Sequence, residues 1–129
     1  MNQNVLNDFS KVLIKTRYKN KIQELVLGYC TDEDGEYINL NVIRIKKSQQ
    51  NKGYGSMLMG DIVYLADLFN VRIKLYATNL WGAELKRLYE FCEKQGFVLD
   101  KTNDINIGHM IYYSKNILNK KNKTVTLCT

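Results

Sequence analysis

The chain has 129 residues, of which 45% are hydrophobic and 25% are charged, and its formal net charge at pH 7 is +6. This size and composition predict a single domain over residues 1–129 that can bury a core, with a basic polar tail at 116–129. No apolar run reaches the roughly 18 residues that a membrane span needs, and the polar start does not look like a signal peptide, so we expect a cytoplasmic protein. Three widely spaced cysteines and one histidine, His109, predict neither a disulfide framework nor a metal site. The positive charge suits any polyanion and does not choose between a nucleotide, an acidic protein and nucleic acid.

The first third of the chain is predicted to form an antiparallel meander. Val12, Ile14, Thr16 and Tyr18 alternate with other residues, which is the period of a strand, and two further strands are predicted on either side of an acidic segment. These predicted strands cover residues 12–18, 22–30 and 37–45. Gly35, in the acidic segment before the third strand, is available for a tight turn.

Two helices and three further strands are predicted to follow. Apolar residues at helical spacing predict a helix from about Gly55 or Ser56 to Phe69, and the strand after it, 71–77, should run parallel to 37–45 because a helix connects the two. A second helix carries an apolar stripe and ends at Gly96. Two final strands, which could pair with each other, are predicted at 97–99 and 107–113, with TVTL in the tail as a further candidate. The predicted class is therefore α/β of the α+β type, a mixed sheet with helices on both faces and the order β-β-β-α-β-α-β-β.

The segment between the third strand and the first helix is polar and contains two glycines. Backbone N–H groups at a helix start lack intrahelical partners and the helix dipole is positive there, so a phosphate can accept several hydrogen bonds, each worth roughly 1.5 to 3 kcal/mol. Glycine keeps the backbone accessible to such an anion. The surrounding lysines are Lys46, Lys47 and Lys52. The segment lacks the lysine-serine pair of a Walker loop and the third glycine of a Rossmann fingerprint.

The spacing Gln-x-x-Gly-x-Gly at 50–55 resembles the pyrophosphate-binding motif of the GCN5-related N-acetyltransferase (GNAT) superfamily. The resemblance extends over roughly residues 11–115, through the order of the elements and the Gly96–Phe97 pair after the second helix. It implies an acetyltransferase that uses acetyl-CoA, here a minimal member with a shortened N-terminus.

The resemblance also implies which residues bind the cofactor. Residues 50–56 would hold the pyrophosphate, and the backbone of Val42, Ile43 and Arg44 would pair with the pantetheine arm in a gap between two splayed parallel strands. The loop residues are Gln50, Asn51, Lys52, Gly53, Tyr54, Gly55 and Ser56. Asn79 follows the next strand, where the family often has a cofactor contact, but it equally suits the N-cap of the second helix.

Three residues are candidates for the proton transfers of the reaction. The family usually places a tyrosine acid four residues before the Gly-Phe pair, and Cys92 occupies that position here. A thiol can donate a proton to a thiolate of similar basicity, while a small buried residue on an apolar stripe is the alternative for Cys92. Tyr89, three residues earlier on the same helix, is close enough to substitute. Glu36 is the carboxylate we name as a candidate base, although a solvated charge is the simpler interpretation.

The predicted acceptor is a primary amine. Because few residues precede the first predicted strand, the acceptor site should be open, which favours a protein lysine or N-terminus over a small enclosed amine. The alternatives are a GNAT-fold module that binds coenzyme A or an acidic partner without turnover, and nucleic-acid binding, which rests on net charge alone and which we do not expect. A homodimer is left open.

Overall fold

The computed structural model describes residues 1–76, 85–99 and 109–115. The elements in chain order are α1 (Gln3–Lys15), β1 (Ile22–Asp32), β2 (Gly35–Ile45), a short 3-10 turn (Lys47–Gln49), α2 (Tyr54–Phe69), β3 (Arg72–Tyr76), α3 (Leu85–Lys94), β4 (Val98–Leu99) and β5 (His109–Tyr112). Within these ranges no helix is long and apolar enough to cross a membrane. The candidate strand TVTL and the 116–129 tail lie outside the described residues.

The five described strands form one mixed sheet in the order β1-β2-β3-β5-β4. β2 pairs with β3 in parallel, and the other neighbours pair antiparallel. The predicted α+β class, the parallel pairing across the first long helix and the pairing of the last two strands are therefore confirmed.

The first predicted strand, at 12–18, is wrong because its first four residues belong to α1. The Asn2 side chain caps this helix by accepting a hydrogen bond from the Val5 N–H at 3.1 Å, and Leu6 is fully buried in the core. The alternation that indicated a strand lies mainly on the solvent side, since Val12 is 59% exposed. The described order is therefore α-β-β-α-β-α-β-β, and β1 begins only at Ile22. We expected an open acceptor site because few residues precede the first predicted strand. Since α1 occupies this part of the chain, that argument no longer applies.

The helix α1 also covers part of an edge of the sheet. β1 is the outer strand, and the Gln3 side-chain amide pairs with its backbone as another strand would. Gln3 Nε2 donates to Leu27 O at 3.0 Å, and Gln3 Oε1 accepts from Tyr29 N at 2.8 Å. Because unpaired edge groups invite association with other strands, this contact protects the middle of β1.

The helix α2 packs one face against the sheet. Its buried residues recur at helical spacing and comprise Leu58, Met59, Ile62, Leu65 and Ala66. At its end, Asn70 adopts the left-handed conformation with φ +56°, which is typical of a residue that ends a helix. Asp67 of α2 accepts a hydrogen bond from the Tyr112 hydroxyl at 2.9 Å, which ties the helix to β5. Burial and the Asp67 carboxylate both raise the pKa of Tyr112, so the phenol stays protonated.

An ion network joins the first hairpin to β3. The Arg72 guanidinium, which is only 4% exposed, donates two hydrogen bonds to the Asp32 carboxylate and one to Gly35 O at 2.9 Å. Lys74 Nζ donates to the same carboxylate at 2.5 Å and lies 4.6 Å from the centroid of the Tyr37 ring. The hydrogen bonds from Arg72 and then from Lys74 lower the pKa of Asp32. Because burying an unpaired guanidinium is costly, Arg72 can be buried here only because it is paired with the Asp32 carboxylate.

We expect Asp32→Asn to destabilise the protein. The substitution keeps the size of the side chain but leaves Arg72 without its counter-charge, which should lower the free energy of unfolding by about 1 to 2 kcal/mol once partial solvent screening is allowed for. Glu33→Gln, at the exposed neighbouring position, should change it by less than about 0.5 kcal/mol. Urea unfolding at pH 7 measures both values.

The same network predicts a pH dependence. Since the pKa of Asp32 is lower in the folded chain, its contribution is complete above the ordinary aspartate pKa of about 4 and is lost as the pH falls through the folded value. Between pH 7 and pH 3 the wild type should therefore lose more stability than Asp32→Asn. Equal losses would show that the pKa of Asp32 is not lowered in the folded chain.

Candidate functional site

The polar loop predicted from the sequence lies where β2 ends. After Ile45 the chain makes the 3-10 turn, and Gln50 Nε2 donates back to Ile45 O at 3.2 Å. The backbone of Lys46 donates to Lys21 O at 2.8 Å, which fixes the start of the loop beside the residue before β1. Hydrogen bonds to the end of β2 and to the residue before β1 thus hold the loop in place.

The helix α2 begins in this loop with exposed backbone donors. Gly53 is the N-cap, with φ +85°, and Met57 N makes the first intrahelical hydrogen bond to Gly53 O at 3.1 Å. Among the described residues no side chain caps this helix. A Cβ atom at Gly53 or Gly55 would meet nothing within 4 Å, so both glycines face open space. The first-turn N–H groups are therefore available to an anion that approaches from this side.

Lysines surround the start of α2. Lys46, Lys47 and Lys52 are exposed, as expected for solvated charges at the mouth of the loop. The structure adds Lys21, whose Nζ lies 4.9 Å from the centroid of the Tyr54 ring and 3.4 Å from Gln49 Oε1. Lys21 belongs to the turn before β1 and reaches the loop only because Ile22 pairs with Ile45. No signal in the sequence marks it, because the proximity depends on strand register.

Next to the loop, where the description of β3 ends at Tyr76, the described part of the sheet has a gap. The parallel pairing of β2 with β3 runs from Tyr37 with Arg72 to Leu40 with Leu75, whereas β2 continues to Ile45. An irregularity in the β1–β2 register falls at the same level, between Val26 and Leu27. The segment predicted to contact the pantetheine arm, Val42 to Arg44, pairs with β1, and within the described residues it has no partner on the β3 side. The arrangement suits an extended molecule with phosphates at the loop and a linear arm in the gap.

The predicted proton-transfer residues are not brought together. Cys92 is fully buried in the core, and burial, followed by the charge of Glu93, raises the pKa of its thiol to about 11. Tyr89 is half-buried against the same core. Glu36 is exposed at the hairpin end of β2, the opposite end from the loop, where its side chain raises the pKa of the Tyr29 phenol. Asn79 lies outside the described residues. The burial of Cys92 agrees with the packing role that the sequence left open, and the catalytic roles of all three residues stay predictions.

Known structures resemble this chain in fold. A chain of AtaTR bound with AcCoA is 17% identical over 72% of this chain and 58% of that chain, with a TM-score of 0.54. A chain of the AtaT–AtaR complex with DNA is 16% identical over 72% and 60%, and a chain of the KacTA–DNA complex is 19% identical over 94% and 86%, each with a TM-score of 0.54. AtaT and KacT are GNAT-fold acetyltransferase toxins. This chain has the GNAT fold.

The identities are low, and the chain spans less than two thirds of the length of the AtaT chains. No protein-family model matches the sequence, and no curated protein matches it either. Two of these GNAT-fold structures are complexes with DNA, so they do not support our expectation that nucleic acid is an unlikely partner.

The two loop glycines should respond differently to alanine. Gly53 has a left-handed φ, so Gly53→Ala should lower the free energy of unfolding by about 1 to 2 kcal/mol. Gly55 lies in the first turn of α2 without a positive φ and with open space for a methyl group. Gly55→Ala should therefore be neutral or stabilising by up to about 1 kcal/mol, because alanine favours helix. Urea unfolding of both variants tests this, and equal effects would contradict the assigned backbone conformation.

Proposed function

We propose that this chain is an N-acetyltransferase that moves an acetyl group from acetyl-CoA to a primary amine. The observation that carries the proposal is the start of α2 at the end of β2. Among the described residues no side chain caps this helix, its first glycines face open space, and lysines lie in the same loop. The neighbouring gap between β2 and β3 and the GNAT fold support it. In this reading Gln50 to Ser56 bind the pyrophosphate, and Val42 to Arg44 bind the pantetheine arm through their backbone.

In this reaction the amine attacks the acetyl group directly, so the protein itself forms no covalent bond to the substrates. The amine nitrogen forms a bond to the acetyl carbonyl carbon, the carbon–sulfur bond breaks, the amine loses a proton and the departing thiolate gains one. The loop supplies binding energy and fixes the position of the thioester, and positioning of this kind accounts for much of the rate in such reactions. Backbone donors beside the gap would stabilise the charge that develops on the carbonyl oxygen.

Binding of acetyl-CoA is the first test, and α2 offers a matched pair of variants. Gly55→Glu places a carboxylate in the first helical turn, where it should not weaken the helix because it complements the dipole, but where it blocks and repels a pyrophosphate. Gly60→Glu puts the same side chain at an exposed position further along α2, also with open space for its Cβ.

Acetyl-CoA at 100 times its dissociation constant should stabilise the wild type by about 2.7 kcal/mol, a shift of several degrees in the midpoint of thermal unfolding. We expect the same shift for Gly60→Glu and none for Gly55→Glu. A wild type that does not respond to acetyl-CoA would remove the main support for the enzyme.

The second candidate is a GNAT-fold module that binds coenzyme A, or an acidic partner, with weak or no turnover. The observation that favours it is the burial of Cys92 at the position where the family usually has a tyrosine acid. In this reading the loop still binds the cofactor, so only turnover distinguishes the two functions. The antitoxin complexes of the structural neighbours add a protein partner as a proposal for either function. A protein lysine or N-terminus also stays a proposal for the acceptor.

Variants of α3 separate these candidates. Because the Cys92 thiol is buried, Cys92→Ala should lower stability by about 1 kcal/mol and leave kcat within about twofold. Tyr89 is the remaining candidate acid on α3, and Tyr89→Phe should lower kcat by about 100-fold if it protonates the thiolate. Release of free thiol from acetyl-CoA, together with mass spectrometry of the acetylated amine, measures both. Cofactor binding with no turnover in the wild type would favour the module.

A further inference from the structure

Lys21 reaches the start of α2 from a part of the chain outside the glycine-containing loop. It is half-buried in the turn before β1, and its Nζ lies 4.9 Å from the centroid of the Tyr54 ring and 3.4 Å from Gln49 Oε1. Gln49 precedes the segment 50–53, and Tyr54 follows that segment as the first residue of α2. β1 and β3 flank β2 on opposite sides, so Lys21 approaches the loop from the side away from β3.

The charge of Lys21 has no carboxylate partner in the described part of the chain. Its contacts there are an amide oxygen at a long hydrogen-bond distance and an aromatic ring. Arg72 and Lys74, which are buried and half-buried, both contact the Asp32 carboxylate instead. A partly desolvated ammonium is stabilised by a neighbouring anion, and charge-assisted hydrogen bonds are the strong ones. Lys21 is therefore suited to an anionic ligand.

Hydrogen bonds fix the turn that carries Lys21. Tyr18 is fully buried and its hydroxyl donates to Asp61 Oδ2 of α2, while Arg17 donates to Asp61 Oδ1 at 2.9 Å. Lys21 N donates to Tyr18 O at 2.9 Å, and Lys21 O accepts from Lys46 N at 2.8 Å. The backbone of Lys21 is therefore tied both to α2 and to the start of the loop.

The anchor of this turn and the ring contact of Lys21 lie on the same side of α2. Asp61 follows Tyr54 by about two helical turns, so the two side chains project in nearly the same direction, roughly 10 Å apart along the axis. Burial, followed by the hydrogen bond to Asp61, raises the pKa of Tyr18, so the phenol remains a donor at neutral pH. The fold thus holds Lys21 beside the loop before a ligand arrives, which lowers the entropy cost of binding.

We propose that Lys21 is a cofactor-binding residue whose ammonium contacts a phosphate of acetyl-CoA at the loop. The assignment rests on the proposed acetyltransferase function, which puts the pyrophosphate at residues 50–56. An ammonium has three donors, so it can keep its contact with Gln49 and still donate to a phosphate oxygen. The pyrophosphate and the 3′-phosphate of the ribose offer the same chemistry to this side chain.

Lys21→Met tests the contact because it removes the ammonium and keeps an unbranched side chain beside Tyr54. The measured quantity is the dissociation constant of acetyl-CoA by calorimetry. We expect Lys21→Met to weaken binding about tenfold, because a charge-assisted hydrogen bond is lost, and Lys21→Arg to bind within about threefold of the wild type. Lys19→Met removes an exposed charge from the same turn. Since water and salt screen that charge, Lys19→Met should change the affinity by less than about twofold.

Acetylated 3′-dephospho-coenzyme A distinguishes the two phosphates. The wild type and Lys21→Met should bind it equally if Lys21 contacts the 3′-phosphate, and with the tenfold difference if Lys21 contacts the pyrophosphate. Thermal unfolding without ligand reports that each variant is folded. If the wild type binds acetyl-CoA but Lys21→Met binds it equally well, or if Lys19→Met loses as much affinity, Lys21 does not contact the cofactor. If the wild type does not bind acetyl-CoA, the proposed function itself fails.

Discussion

Within the described residues the parallel pairing of β2 with β3 extends over four residue pairs, and the candidate site lies where this pairing ends. β2 continues five residues beyond Leu40 with only β1 as a described neighbour, so one side of its backbone is left for another group. β2 leads directly into the loop. α2 starts there because this helix is the crossover connection from β2 to the parallel strand β3. In the described part of the sheet this short pairing leaves the gap, and the crossover puts a helix N-terminus at its end.

The electrostatics of the loop arise from residues that are distant in the sequence. The helix start contributes partial positive charge, and the lysines of the loop add full charges that water screens. Lys21 differs from these because its ammonium is held against the Tyr54 ring and Gln49 before any ligand arrives. A preformed contact of this kind reduces the side-chain entropy that binding would otherwise remove. The loop thus combines adaptable charges with one fixed charge.

Local patterns in the sequence predicted the elements whose burial is one-sided. α2, β2 and β3 place apolar residues toward one core, so periodicity and structure agree. The segment 12–18 misled because Val12 and Ile14 are exposed apolar residues, and their alternation reflects no buried face. The true signals of α1 were the Asn2 cap and the spacing of Leu6, Phe9 and Leu13. The loop was predictable as a motif, whereas the position of Lys21 beside it became visible only with the register of the sheet.

The charged network of Asp32, Arg72 and Lys74 also fixes the register of β3 relative to the β1–β2 hairpin. Four β2–β3 residue pairs alone do little to prevent a shift in strand register. A shift of one residue would move the side chains of a strand to the opposite faces of the sheet. It would move Asn39 into the core and expose Ile38. The contacts of Arg72 with Asp32 and of Lys74 with the Tyr37 ring can form only in the observed register, because each joins β3 to a defined position of the hairpin. The network at one end of β2 therefore fixes the alignment on which the gap and the loop at the other end both depend.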